Sequence, residues 1–277
     1  MNRKDLNPEE SPQAAFGAEL RRLREARGLK QEELGDLTEY SGGHISAVET
    51  GRKGPSLALA RAMDRALGVK VFEREWYAMK QSMFLRGFPE YVQHESRATE
   101  IRLFTVGIIP GLLQTPEYAR VLADSNVYRG TISPKEADER LALLAERQAG
   151  LVGSRAPMVI VVLDESCIRR PVGGAKVMAA QLQRLVEFAE APNSVLQIAP
   201  YEIGERRALD LPVYLLTLPD RSAVAYTESQ GMGYFDREST SVHPQVRAYH
   251  QLQAEALSQA ESVAMIRQVM KGMTHDE

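Results

Sequence analysis

A short polar and basic segment, residues 41–53, holds the side chains best suited to contact another molecule. It opens with Ser41, a residue type that caps helices, and ends near the basic pair Arg52-Lys53. The first turn of a helix carries free backbone N–H groups and the positive end of the helix dipole, which suit a phosphate. A helix also fits the major groove of DNA, where its first residues meet base edges. This segment therefore predicts contact with nucleic acid.

Other reactive side chains are scattered and indicate no catalytic chemistry. Cys167 could act as a nucleophile with His243 or His250, but no orienting motif supports that reaction. Asp164 and Glu165 are neighbours at the end of a predicted strand, so they point in opposite directions and make a poor acid–base pair. A single cysteine excludes Cys₄ and Cys₂His₂ zinc sites. We expect no catalytic residue, no metal and no cofactor.

Four short helices on tight turns are predicted over residues 12–68. Ser11-Pro12 is typical of a cap followed by a first-turn proline, while Ser41 and Pro55-Ser56 begin later helices. Glycines end these helices. The apolar residues that recur at helical spacing, and that we expect to face inward, are Phe16, Leu20, Leu23, Leu34, Leu37, Ile45, Val48, Leu57, Ala60, Met63, Ala66 and Leu67.

The segment from residue 31 to residue 69 resembles the XRE (Cro/lambda-repressor-like) helix-turn-helix family, without a gap. The matching residues are Gln31-Glu32-Glu33-Leu34, Ser41, Ile45-Ser46, Glu49-x-Gly51-Arg52, Pro55-Ser56 and Ala66-Leu67-Gly68-Val69. The resemblance implies that Gln31 anchors the second helix at a phosphate. It also implies that the start of the third helix faces the groove and that its end meets the sugar–phosphate backbone. The candidate DNA-binding residues are Gln31, Ser41, Gly42, Gly43, His44, Ser46, Ala47, Thr50, Arg52 and Lys53.

Several positions depart from the family pattern. Glu39 stands at the turn position usually held by glycine, and Lys30 stands where threonine or serine usually caps the second helix. Gly42 and Gly43 offer no side chain to a base, and each lowers helix propensity by about 1 kcal/mol relative to alanine. Base reading then falls on His44 and the residues after it, and we expect weak or shape-based readout. Loss of tight specific binding is the alternative.

From residue 88 the pattern changes to mixed helices and strands. The run 158–163 is apolar and β-branched, which predicts a central strand buried on both faces. Further strands are predicted at 101–106, 194–199, 213–218 and 223–228, and helices at 90–97, from 116, at 134–149, 176–190, 238–256 and 258–272. The expected fold class is a multi-domain chain, with an all-α helix-turn-helix N-terminal domain followed by a mixed α/β (α+β) C-terminal domain.

The C-terminal part resembles the domain of unknown function that follows an XRE motif in many actinobacterial regulators, including WhiJ-like and antitoxin-like regulators. The resemblance spans residues 88–265. It rests on residues 106–120, Leu163-Asp164-Glu165, 169–174, Gln181-Leu182-x-x-Leu185, 192–195 and Tyr226-x-Glu228. Such regulators are commonly encoded beside a small partner protein. The resemblance therefore implies a role in binding a partner or a ligand and identifies no catalytic residue.

Eight residues are candidates for ligand or partner contact: Pro110, Gly111, Gln114, Glu165, Arg169, Gly173, Tyr226 and Glu228. Glu165 and Glu228 lie at strand ends, where open α/β sheets place ligands. A structural role is the alternative, namely turns at Pro110-Gly111 and Gly173-Gly174 and a helix cap or buried ion pair at Glu165. The paired glycines could also bind an anion, although they lack the lysine of a phosphate-binding loop.

The expected domain organisation follows from these patterns. The ranges are a flexible segment at 1–11, the helix-turn-helix domain at 12–70, a connecting helix within 71–87 and the partner- or ligand-binding and dimerisation domain at 88–277. The fifth helix, predicted from Phe72 to Phe84 and containing Met83, is expected to connect the domains or to form a dimer contact.

The net charge of −3, from 34 basic and 37 acidic residues in 277, gives only a weak argument against a nucleic-acid partner. Residues 14–70 hold ten basic and eight acidic side chains, whereas residues 71–277 hold 22 and 26. The slightly basic first part leaves DNA binding possible. We expect modest affinity that rests on a few placed residues and on dimerisation.

The remaining composition narrows the class of protein. No run of about 18 apolar residues is present, so no membrane-spanning helix is expected. No apolar stretch follows Met1 to Asp5, so we expect no secretory signal, and the single cysteine fits a reducing compartment. A cytoplasmic protein is expected, associated with the nucleoid when it is bound to DNA.

The function expected from these observations is that of a sequence-specific, homodimeric DNA-binding transcriptional regulator. Its C-terminal domain would sense a small protein partner encoded nearby or a small-molecule effector, and would support dimerisation. The first alternative is an antitoxin-like protein that neutralises a small partner, with DNA binding as autoregulation. An enzyme that the helix-turn-helix merely localises is the second alternative.

Overall fold

The computed structural model describes residues 11–79, 84–154, 156–229 and 232–273. They fall into two compact units that divide between Phe84 and Leu85. The flexible segment expected at 1–11 lies outside these ranges except for its last residue. Residues 80–83 of the expected fifth helix, including Met83, also lie outside them.

The first unit consists of helices within its described residues. They are α1 (Pro12–Ala26), α2 (Gln31–Thr38), α3 (Gly42–Glu49), α4 (Leu57–Leu67) and α5 (Phe72–Met79). Three of these helices begin at a serine whose hydroxyl accepts a backbone N–H of the first turn, namely Ser11, Ser41 and Ser56. The four helices predicted over residues 12–68 are confirmed, because their caps and apolar spacing agree.

One expectation for this unit is wrong. Leu37 is 59% exposed, because α2 turns Leu34, Gly35 and Thr38 toward the core and leaves Leu37 to one side of that face. The fifth helix packs against the other helices of this unit. Phe72 packs on the ring of Phe16 in α1, and the indole Nε1 of Trp76 donates to the Pro55 carbonyl over 3.0 Å. Helix α5 therefore completes the core of the helical unit.

The second unit is built on a six-stranded mixed sheet. The strands are β1 (Glu100–Thr105), β2 (Met158–Asp164), β3 (Ser194–Ala199), β4 (Val213–Thr217), β5 (Ala223–Ser229) and β6 (Met232–Asp236). Their order is β3-β2-β1-β4-β5-β6, with β1, β2 and β3 parallel and the pairs β1–β4, β4–β5 and β5–β6 antiparallel. The edge strand β6 was not predicted from the sequence.

Helices surround this sheet. They are α6 (Phe88–Glu95), α7 (Pro116–Tyr128), α8 (Pro134–Ala149), the single turn α9 (Ser166–Arg169), α10 (Gly174–Ala189), α11 (Ser239–Glu255) and α12 (Gln259–Met273). The consecutive residues Val161 and Val162 are both fully buried, so β2 is covered on both faces, as predicted. Helix α11 contributes Val242, Tyr249 and Leu252 to one core cluster. The predicted fold class is confirmed, and the first four helices hold the strongest candidate site.

Candidate nucleic-acid interface

Helix α3 presents one face to the core and another to solvent. Ile45, Val48 and Glu49 are buried, whereas Gly43 is exposed and Ala47 is partly exposed. Positions three and four apart share a helix face, so the start of α3 and Ala47 form one outward strip. The candidate residues on this strip are thus brought together on the surface that a groove could accept.

The two glycines at the start of α3 have different roles. A Cβ atom at Gly42 would lie 3.1 Å from both the backbone nitrogen and the Cγ of Glu32 in α2. A Cβ atom at Gly43 would meet nothing closer than the Ser41 hydroxyl at 4.0 Å. Gly42 is therefore the residue that lets α3 approach α2, and Gly43 is an open position. The Ser41 hydroxyl accepts the His44 N–H over 3.2 Å and caps the helix as predicted.

His44 is held in place by two neighbours. Its ring lies 5.0 Å, centroid to centroid, from the ring of Tyr40 in an edge-on arrangement. The Lys53 ammonium lies 3.5 Å from the His44 Nδ1. Burial, and then the Lys53 charge, lower the pKa of His44, so the ring is neutral near pH 7. The sequence interpretation missed Tyr40, although an aromatic residue four positions before His44 was a visible signal.

The end of α3 leads into a basic loop. The Thr50 hydroxyl donates to the Ser46 carbonyl over 2.7 Å, and the Arg52 Nε donates to the Thr50 hydroxyl over 3.0 Å. The Lys53 backbone N–H donates to the Ala47 carbonyl, so the loop folds back against the helix. Arg52 and Lys53 are exposed at this end, where their cationic groups can meet phosphate. Thr50 serves to close the loop.

A buried network joins three helices beneath this surface. The carboxylate of Glu49 in α3 is fully buried and pairs with the guanidinium of Arg24 in α1. The Gln31 Nε2, at the start of α2, donates to the same carboxylate over 2.7 Å. One of the two Gln31 Nε2 hydrogens is thus used inward, and only the second can donate to the phosphate that the resemblance implied, because the side-chain oxygen can only accept. Arg24 stands four residues after buried Leu20, and this inward spacing was the signal that sequence reasoning overlooked.

The turn before α3 carries a left-handed residue. Glu39 adopts φ +63°, a conformation that favours glycine, and its side chain is exposed. This conformation is consistent with the glycine that the family resemblance implies at this position. Lys30 precedes α2 in the cap position, where its backbone N–H donates to Glu33.

The eight candidates in the second unit do not form one site. Gln114 lines a small cavity of about 180 Å³ between α7 and α8, whereas Glu228 lines another of about 360 Å³ beside β6. Tyr226, also on β5, is buried under the Phe88 and Tyr91 rings. The candidates are therefore spread over separate loops and strand ends, and of the eight only Gln114 and Glu228 line these two cavities.

Several of these candidates have structural roles. Glu165 is buried, pairs with Arg169 and accepts the Tyr201 N–H over 2.8 Å. Gly173 has φ +72°, and a Cβ atom there would lie 2.9 Å from Val121 and Val177. Pro110 and Gly111 begin a short 3₁₀ turn, and a Cβ atom at Gly111 would come within 3.0 Å of Leu144. The structure therefore contains the structural alternative described above for these residues, namely turns at the glycines and a buried ion pair at Glu165.

Comparison with known proteins identifies both units. Residues 88–268 match the domain of unknown function DUF5753. The chain belongs to the DUF5753 family. Ahead of the DUF5753 domain, residues 15–76 match a helix-turn-helix domain, a range that extends through most of α5. No match was found among the curated proteins or among the solved structures.

These matches establish the expected architecture, a helix-turn-helix followed by the DUF5753 domain. The helix-turn-helix match supports a DNA-binding regulator, in agreement with the outward strip of α3. Among the described residues, no helix is long and apolar enough to cross a membrane. In the same ranges, no group of three or more His, Cys, Asp or Glu side chains is placed to hold a metal ion.

Proposed function

We propose that this protein is a sequence-specific transcriptional regulator that binds DNA through α3 as a homodimer. The observation that carries the proposal is the arrangement around α3, with Gly43, His44 and Ala47 outward and Arg52 and Lys53 exposed at its end. Base contacts fall to His44 and Ala47, and phosphate contacts to Arg52 and Lys53. A dimer is proposed because single helix-turn-helix modules gain affinity by binding two half-sites about one helical turn apart.

The proposed role of the DUF5753 domain is to sense a small ligand or a small protein partner and to support dimerisation. A catalytic role is not proposed. Burial raises the pKa of Cys167 to about 12, so its thiol stays protonated and is a poor nucleophile. A stable stoichiometric complex with a small co-purified protein that blocks the activity of that protein would instead favour direct, antitoxin-like neutralisation.

Arg52→Ala tests the phosphate contact. Binding to a duplex from the region upstream of its own gene should weaken, and the slope of log affinity against log salt should fall by about 1. Arg129→Ala, which removes an equal charge from the exposed residue directly after α7, serves as the matched control and should leave the slope unchanged. An unchanged slope in Arg52→Ala would remove Arg52 from the phosphate contacts.

His44→Ala tests base reading. The ratio of affinity for the upstream duplex to affinity for a duplex of scrambled sequence should fall by about tenfold, the value of one good base contact. Equal loss on both duplexes would contradict a base-reading role. If the wild-type protein binds neither duplex in a retardation assay, the proposed function itself fails.

A further inference from the structure

A cavity of about 360 Å³ opens beside the edge strand of the DUF5753 domain, within the size range of small-molecule sites. Glu228 on β5 stands directly opposite Gly233 on β6. Because Gly233 has no side chain, the Tyr226 hydroxyl and the Arg86 carbonyl can occupy the position that a Cβ atom there would take. The absence of a side chain there is required, since a Cβ atom at Gly233 would lie 2.4 Å from the Tyr226 hydroxyl.

The carboxylate in this cavity lacks a direct cationic partner. Within the described ranges, no lysine or arginine lies within ion-pair distance of Glu228. Arg147, whose charge also acts on Glu228, is already bound by Glu95 through two hydrogen bonds of 2.7 Å. Burial accordingly raises the pKa of Glu228, and the smaller effects of Tyr226 and Arg147 do not cancel that rise. A desolvated carboxylate of this kind gains most from a cation that enters the cavity.

The wall of the cavity is apolar and open to solvent. Leu211, Met232 and Tyr234 all line it and are each more than 60% exposed. They are three of the eight large apolar side chains that are exposed in the described part of the chain, so these side chains concentrate at this cavity. Exposed apolar surface gathered around a concave site marks a place where a ligand or partner binds.

The rim adds one further acid. Glu90 at the rim is exposed and lies 3.5 Å from Arg237, and Arg86 is exposed at the same rim. Among the charged residues that line the cavity, Arg86 and Glu90 are exposed and Glu228 is partly buried, so an anionic group placed against the Glu228 carboxylate would be repelled by it.

We propose that this cavity binds a small amphipathic amine, with its ammonium group on the Glu228 carboxylate and its apolar part against Leu211, Met232 and Tyr234. The inference gives a ligand class to the sensing role proposed above and rests on that role for its biological meaning. The binding itself is testable without DNA.

Isothermal titration calorimetry of the full chain provides the test, with three primary amines as probes: hexylamine, cyclohexylmethylamine and 2-phenylethylamine. Two control compounds keep the phenyl ring. The first, 2-phenylethanol, removes the positive charge, and the second, phenylacetate, replaces it with a negative charge. At least one amine should bind, and 2-phenylethylamine should bind about tenfold or more tightly than the alcohol, as expected for a charge-assisted hydrogen bond. Phenylacetate should bind more weakly than the alcohol.

Glu228→Gln should reduce the affinity for the amine to the level of the alcohol in the wild-type protein. Glu90→Gln, a matched change at the rim, should alter the affinity less than about threefold, as for an exposed ion pair. Absence of binding by all three amines, equal binding of amine and alcohol, or an unchanged affinity in a folded Glu228→Gln variant would each overturn the inference. Retardation of the upstream duplex without amine tests the proposed function separately, so failure of one is distinguishable from failure of the other.

Discussion

Replacing Arg24 by methionine tests whether the buried network beneath α3 holds the DNA-facing helix in place. The Arg24 side chain is 9% exposed, and the Glu49 carboxylate that it binds is fully buried. Methionine fills most of the same volume but leaves Glu49 charged, buried and bonded chiefly to Gln31. Leaving one member of a buried ion pair uncompensated costs about 3–5 kcal/mol. Arg21, whose Nε lies 3.7 Å from the Glu49 carboxylate, would offset part of this, so we expect a loss of about 3 kcal/mol.

The single tryptophan makes the measurement specific to the first unit. Trp76 is the only tryptophan in the sequence and is buried in that unit, so its fluorescence reports unfolding of the helical unit within the full chain. The urea concentration at the midpoint of unfolding should fall by about 1 M or more. This follows because the free energy of unfolding falls by about 1–3 kcal/mol for each M of urea. Arg22→Met is the matched control on the same helix. Its pair with Glu19 is exposed and screened by solvent, so the midpoint should move much less than in Arg24→Met. Equal shifts of the midpoint in the two variants would refute the reasoning.

Further predictions concern the turn and the start of α3, measured by the same fluorescence. Glu39→Gly should stabilise the unit by about 0.5–1 kcal/mol, because glycine adopts the positive φ without strain and the glutamate side chain is exposed. A lower midpoint would contradict this. Gly43→Ala should stabilise by up to about 1 kcal/mol, since its Cβ atom meets open space and alanine favours a helix. Gly42→Ala should destabilise, because its Cβ atom would press on α2, and two shifts of the same sign would show that the glycines are equivalent.

The fold of the helical unit follows closely from local signals. Serine caps, a first-turn proline and terminal glycines fix the ends of α1, α3 and α4 without help from distant residues. The position of Leu37 could not be read in this way, because α2 is too short for its spacing to define which arc faces the core. The partner that makes Arg24 an inward residue, Glu49, lies 25 positions along the chain.

The second unit shows what the sequence alone cannot determine. Strand β6 contains Gly233 and alternates exposed and buried residues over only five positions, so its pattern is too short to distinguish from a loop. Its role becomes clear only when β5 pairs with it and places Gly233 opposite Glu228. The sequence singled out Glu228 because it ends a strand, but the cavity that Glu228 and Gly233 both line depends on this pairing.

In the proposed complex with DNA, recognition by α3 would depend on the placement of the helix as much as on its side chains. Gly42 is committed to packing and Gly43 offers no donor, so the direct reading of bases would fall to His44 and Ala47. A helix with so few reading groups discriminates only if it enters the groove at a fixed depth and angle. Glu49 provides that constraint, since its carboxylate ties α3 to both α1 and α2 from within the core. The small positive charge of this unit adds little non-specific attraction, so tight binding by one copy is not expected. Two copies on adjacent half-sites would combine these modest contacts into specific affinity.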